Sequence, residues 1–222
     1  MTQHNQHTER VIQRYRKAER VNHWITAGCF VLLAISGLAF FYPAFFWLTG
    51  VFGTPQLARL LHPWIGVVMF ISFMIMFFRY FSSNFLNKDD MKWLSSVGAV
   101  LKGKQVGDVG KYNAGQKAMF WLMSICMIML LITGLLSWHA YFGQAVPIPV
   151  KRIALLLHAA SALVLIAGII VHVYAAIWVR GTIRAMVEGV VSQAWATTHH
   201  PRWYREIMAK RDEKAKTGSG TL

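Results

Sequence analysis

The sequence predicts an all-α integral membrane protein: a four-helix up-down bundle with both termini cytoplasmic. Three observations carry that reading. Of 222 residues, 55% are hydrophobic and 14% aromatic, and the mean hydropathy is +0.40. The apolar residues stand in long uncharged blocks, not in the periodic stripes of a water-soluble domain. Basic residues gather between the blocks and unequally: the N-terminal arm, the segment 79–117 and the tail from Arg180 hold 20 of the 23 lysines and arginines. That bias places these three segments on the cytoplasmic side. The nine acidic residues fall there too, but they contribute little to orientation. A formal charge of +14, so distributed, suits anionic lipid headgroups and not nucleic acid.

Residues 1–20 form a polar basic arm that includes His4 and His7. No short apolar core with a small-residue cleavage site follows, so the first apolar block remains as a span. The bundle occupies 21–181, with spans at about 21–48, 57–80, 116–141 and 152–180, and the interfacial tail is 182–222. Thr54 and Pro55 suit the cap and first residue of the second helix, which places Pro63 in its interior and predicts a kink there. The segment from Ser82 to Gln116 is the one long connection, with Gly103, Gly107 and Gly110 among its turn residues and a short surface helix expected over Met91–Leu101. The tail is expected to lie along the headgroups and to end in a disordered stretch. Cys29 and Cys126 fall singly inside spans and outside any C-x-x-C-H motif, so any haem is held noncovalently.

The fourth span carries the chemistry. Between Arg152 and Arg180 lie 27 residues without an Asp, Glu, Lys or Arg, more than the roughly 20 that cross a bilayer. His158 and His172 stand 14 positions apart within it. That spacing is about 21 Å along the axis and about 40° around it, so both point to nearly one face at two depths. Ionisable groups in lipid are costly and tend to be functional. Depth supplies the partners: His62 on the outer side with His158, and His23 at the cytoplasmic mouth with His172. Each pair is a bis-imidazole set for one b-type haem, the second ring nitrogen needing an acceptor. The competing reading is that these are hydrogen-bonded packing histidines. Ala27, Gly28, Gly66, Ala159, Ala160 and Gly168 could admit a flat macrocycle or simply close helix packing. His139, at the outer interface, is a weaker contender for the outer haem, and the basic tail around His199–His200 disfavours reading that couple as a metal pair. Asn113 and Gln116, uncharged hydrogen-bonding groups, stand just before the third helix, where Asn113 could cap it.

Six stretches give the chain a family likeness: Asn22-His23-Trp24, Gly53-Thr54-Pro55-Gln56, Leu61-His62-Pro63, the block Asp108–Lys117, Leu157-His158-Ala159-Ala160 and His199–Glu206. In these it resembles the cytochrome b (gamma) subunit of respiratory membrane-bound formate dehydrogenases. The resemblance implies four helices, two b-type haems on His23, His62, His158 and His172, and a quinone site (menaquinone or ubiquinone) near the cytoplasmic haem, formed by Asn113, Gly115 and Gln116. It also implies partners: a molybdenum or tungsten formate-oxidising subunit and an iron–sulfur subunit with a membrane helix, as a heterotrimer that can itself trimerise in the bacterial inner membrane. The expected role is electron transfer from the outer iron–sulfur subunit to quinone on the cytoplasmic side, adding to the proton-motive force. Two other readings compete. One is the cytochrome b subunit of another dehydrogenase, such as a nickel–iron hydrogenase. The other is a haem-free membrane anchor or ion-conducting bundle.

Overall fold

A computed structural model describes residues 10–96, 98 and 108–218. The chain divides into two compact units, one of Lys17–Ser82 with Met119–Ala175 and the other of Met1–Arg16, Ser83–Ala118 and Ala176–Leu222. His4, His7, Gly103 and Gly107 lie outside the described residues, as does much of the second half of the expected Met91–Leu101 helix.

The first unit holds long apolar helices: α1 (Lys17–Phe41), α2 (Pro55–Tyr80) and most of α4 (Ala114–Ser137) and α5 (Ile148–Trp178). All four are long and apolar enough to cross a membrane. Their outward side chains are large hydrocarbons, with Phe78, Leu156 and Ile170 each more than half exposed. In water such a surface would be an interaction liability; in a bilayer it is the solvated surface. The interior is small and specific. Met69 and Phe73 of α2 pack with Cys126, Met127 and Leu165, and Phe77 stacks on Phe120 with ring centres 5.5 Å apart. A polar knot joins α1 to α2: Asn22 Nδ2 donates to the Ser72 carbonyl at 2.8 Å, and Ser72 Oγ donates to Asn22 Oδ1 at 2.8 Å.

Local chemistry sets the helix ends. The first helix stops at Phe41, not near residue 48, because Pro43 disfavours a helical conformation at Tyr42, whose φ and ψ are −137° and 128°. The chain runs on as a 3₁₀ segment over Pro43–Phe52 and leaves it at Gly53, φ +86°, a conformation glycine adopts without strain. Thr54 then caps α2, its hydroxyl accepting from Leu57 N–H at 3.1 Å, with Pro55 at the first helical position. The helix continues through Pro63.

The second unit is where structure and sequence expectation differ most. Part of the arm is a strand, β1 (Val11–Gln13), paired antiparallel with β2 (Val190–Ser192) so that Ile12 faces Val191. Around this ribbon stand α6 (Thr182–Val187), α7 (Gln193–His199) and α8 (Pro201–Gly218), the last taking in the Lys/Glu-rich part of the tail. Its core is Ile12, Ala185, Val191, Trp195, Ala196 and Trp203. The surface helix of the long connection is α3 (Lys88–Ser95), three residues earlier than expected. Asp90 in α3 forms a buried ion pair with Lys117 at 2.6 Å, and Lys117 Nζ also donates to the Phe85 carbonyl at 3.0 Å. The two strands leave the fold class all-α.

Candidate functional site: paired histidines in the spans

The unit of long helices brings four histidines together as two pairs. His62 of α2 faces His158 of α5 with ring centres 6.3 Å apart, and His23 of α1 faces His172 of α5 at 6.4 Å. A metal–imidazole bond of about 2.0 Å places the ring centre about 3 Å from the metal, so two imidazoles on opposite sides of one metal have centres roughly 6 Å apart. Both pairs have that spacing. Among the described residues, no group of three or more His, Cys, Asp or Glu is placed to hold a bare ion. A pair suits a metal whose remaining positions belong to a macrocycle.

Hydroxyl groups settle which nitrogen of the first pair is available. Ser36 Oγ donates to the Leu32 carbonyl at 2.9 Å and lies 2.7 Å from His62 Nδ1. Thr133 Oγ1 donates to the Met129 carbonyl at 2.6 Å and lies 2.9 Å from His158 Nδ1. With each hydroxyl proton committed to a carbonyl, each ring must donate from Nδ1, which leaves the Nε2 lone pair for a metal. These tautomers follow from the direction of the hydrogen bonds. Neither Ser36 nor Thr133 was singled out from the sequence. A hydroxyl four residues after a carbonyl in an apolar helix is common, and only the rotation of the helix shows which ones meet a histidine.

The His23/His172 pair lacks such support. His23 Nδ1 is buried with no hydrogen-bond partner among the described residues, and its ring meets Trp24 edge to face at 5.5 Å. Glycines are sorted by what surrounds them. A methyl group on Gly134 would meet His158 Cε1 at 3.3 Å, so this glycine makes room for the ring, whereas one on Gly37 would meet His62 Cε1 at 3.7 Å, an ordinary contact. Gly168 abuts Leu122 and serves helix packing, whereas Gly28 and Gly66 border open space.

His139 is exposed at the end of α4. His200 is no member of a metal pair with His199: it is buried, and its Nδ1 donates to the Gly110 carbonyl at 2.7 Å. Burial and the neighbouring Arg14 guanidinium push its pKa down to about 3. Asn113 and Gln116 form a reciprocal capping box at the start of α4, Asn113 Oδ1 accepting from Gln116 N–H at 2.9 Å and Gln116 Oε1 accepting from Asn113 N–H at 3.0 Å. Gly115 lies under the Trp93 ring, which a methyl group there would meet at 3.1 Å.

Residues 14–189 match the family described as prokaryotic cytochrome b561. The chain is 54% identical over 205 residues to the formate dehydrogenase cytochrome b556(fdo) subunit of Escherichia coli K12, covering 92% of this chain and 97% of that one. It is 47% identical over 213 residues to the nitrate-inducible formate dehydrogenase cytochrome b556(Fdn) subunit of the same organism, with 95% and 98% covered. It is 48% identical over 205 residues to the formate dehydrogenase cytochrome b556 subunit of Haemophilus influenzae, with 91% and 86% covered. The chain therefore belongs to the prokaryotic cytochrome b561 family and, within it, to the cytochrome b556 subunits of formate dehydrogenases.

Proposed function

We propose that the chain is the di-haem b, quinone-reducing subunit of a bacterial formate dehydrogenase. It takes electrons from an iron–sulfur subunit at the outer face of the inner membrane and delivers them to menaquinone or ubiquinone at the cytoplasmic face. The observation that carries this reading is the pair of imidazole couples, each at the spacing of two ligands on one iron. His62 and His158 would hold the outer haem, and His23 and His172 the inner one. When bound, the two haems supply one-electron redox couples at two depths.

The protein's own groups do the rest. Ser36 and Thr133 hold two ligands in the tautomer that offers Nε2. The uncharged spans keep water away from both pairs. At the start of α4 the capping box uses the carbonyl oxygens of Asn113 and Gln116, so their NH₂ groups are the donors that remain for a quinone carbonyl. Capping and quinone binding are therefore compatible roles for one side chain. The short outer segments 49–60 and 141–150 are where the iron–sulfur subunit would dock, its membrane helix beside the bundle, with the molybdenum or tungsten formate-oxidising subunit beyond it and the heterotrimer able to trimerise. The basic arm, loop and tail would face anionic lipid.

Haem quantification on single substitutions tests the ligand set. The intact chain should carry two b-type haems, and His158→Ala or His62→Ala should carry one. Two intact haems in His158→Ala would falsify the outer pairing. Asn113→Ala should keep both haems reducible by formate while their reoxidation by quinone slows.

A further inference from the structure

We propose that Arg14 and His200 are positioning residues for the quinone turn: with the start of α8 they hold residues 108–111 so that the Asn113–Gln116 turn meets quinone in one conformation. The inference rests on the reading of that turn as the quinone site.

Four consecutive residues leading into the turn are each tethered. Asp108 Oδ2 accepts from Arg205 Nη2 at 2.6 Å, and the Val109 carbonyl accepts from Arg202 N–H at 3.2 Å. The Gly110 carbonyl accepts from His200 Nδ1–H at 2.7 Å, and the Lys111 carbonyl accepts from Arg14 Nη2 at 2.5 Å. Three successive backbone groups are thus fixed from two distant parts of the chain. A methyl group on Gly110 would come within 2.8 Å of Arg202 Nη2, so the Arg202 side chain would have to shift to admit one.

The two side chains are an expensive way to hold a loop. His200 is 2% exposed and Arg14 6%. Arg14 is fixed in turn by its backbone, whose N–H donates to the Gly189 carbonyl at 2.8 Å beside the β1–β2 ribbon. Its guanidinium carbon lies 4.3 Å from the Trp203 ring centre and 5.3 Å from that of Trp195. Arg14 Nη2 also approaches His200 Nε2 at 3.5 Å, which suits a neutral imidazole donating from Nδ1 and accepting at Nε2. Among the described residues the partners of this buried cation are a carbonyl, an imidazole and aromatic faces. A buried charge without a counter-ion costs stability, and apolar side chains would hold a purely structural loop more cheaply. What the polar clamp adds is direction. Carbonyls tethered one by one fix the path of the backbone into Asn113, and a preorganised site binds more tightly because less ordering remains to be done on binding.

The test uses the intact complex, formate and a short-chain quinone. His200→Leu should leave haem content and formate-reduced haem unchanged and kcat within about twofold. It should raise KM for quinone about tenfold, the loss of roughly one buried hydrogen bond, and should speed tryptic cleavage after Lys111. His200→Asn, whose amide NH₂ can stand in for Nδ1–H, should restore both readouts; if His200→Leu fails to assemble, Arg14→Gln takes its place. A raised KM in Asn113→Ala with an unchanged KM in His200→Leu overturns the positioning role and spares the site. If cleavage quickens while neither variant moves KM, the quinone reading itself falls and the inference with it.

Discussion

On the proposed ligand set, a serine and a threonine would tune how well one histidine pair ligates. Their hydroxyls are committed to the Leu32 and Met129 carbonyls, so each can only accept from the imidazole beside it. Removing Ser36 Oγ frees the His62 ring to rotate and to exchange tautomers, which typically costs 10–100-fold in metal affinity, about 1–3 kcal/mol, whereas His158 keeps a hydrogen bond to the Leu130 backbone when Thr133 is removed and should lose less. Ser36→Ala and Thr133→Ala should therefore lower occupancy of the His62/His158 haem and leave the His23/His172 haem in place. Haem-to-protein ratio and low-temperature difference spectra measure this; equal loss at both sites would count against the assignment. The histidines themselves were legible in the sequence, because an ionisable group stands out in an uncharged run and fourteen residues return it to nearly the same face. The hydroxyls were not, because Ser36, Ser124 and Thr133 all bond back to a carbonyl four residues earlier, and only two of them reach a histidine.

Elements differ in the same way. The four long helices were legible because an apolar run longer than a bilayer has few other uses, and the end of α1 was misplaced only because Pro43 acts before the apolar run ends. The β1–β2 pair was not legible: three residues a strand carry no usable alternation, and the partners lie far apart in the chain. Asn113 illustrates a mixed case, since capping and ligand donation use different atoms of the same amide. The connection before α4 also holds the Asp90–Lys117 pair, with side chains 7% and 6% exposed. Removing one member strands a buried charge, at about 3–5 kcal/mol, whereas replacing both by apolar groups can be neutral. Asp90→Leu alone should lower the melting temperature of the complex, and Asp90→Leu with Lys117→Met should recover most of it. The clamp at His200 gives a pH dependence of definite sign. Its pKa is about 3 in the folded chain against 6.5 in its ordinary state, and Arg14 and His199 are the charged or titratable groups acting on it. A released imidazole gains a proton that the folded one refuses, so the clamp is at full strength above about pH 6.5 and weakens as pH falls, by roughly 1.4 kcal/mol per unit at most. Intrinsically corrected hydrogen exchange at residues 109–112 should quicken between pH 6.5 and 5, and His200→Asn should flatten that response.

For the whole molecule, the pattern of charge and the two proposed haem depths make one prediction about direction. The segments assigned to the cytoplasm hold 20 of 23 basic residues and include the turn at Asn113; the opposite side keeps Arg59, Lys151 and Arg152. On that polarity, electrons enter at the His62/His158 side and move inward over the roughly 21 Å of helix that separates His158 from His172. They travel against a potential that is negative inside, at roughly 2.3 kcal/mol per electron per 100 mV, so formate oxidation must supply that work. On the proposed function, each quinone reduced at the cytoplasmic side would take two protons from the cytoplasm, while formate oxidised outside would release protons there. Charge separation then needs no proton channel through the bundle. In inside-out vesicles carrying the complex, formate with quinone should draw protons from the external medium, which is the former cytoplasmic side, and uptake should slow in Asn113→Ala. Cysteines introduced at the C-terminal tail should react with an impermeant thiol reagent in those vesicles and stay protected in right-side-out ones. Proton uptake from the vesicle lumen, or tail labelling only in right-side-out vesicles, would reverse the polarity and place the quinone turn on the outer face.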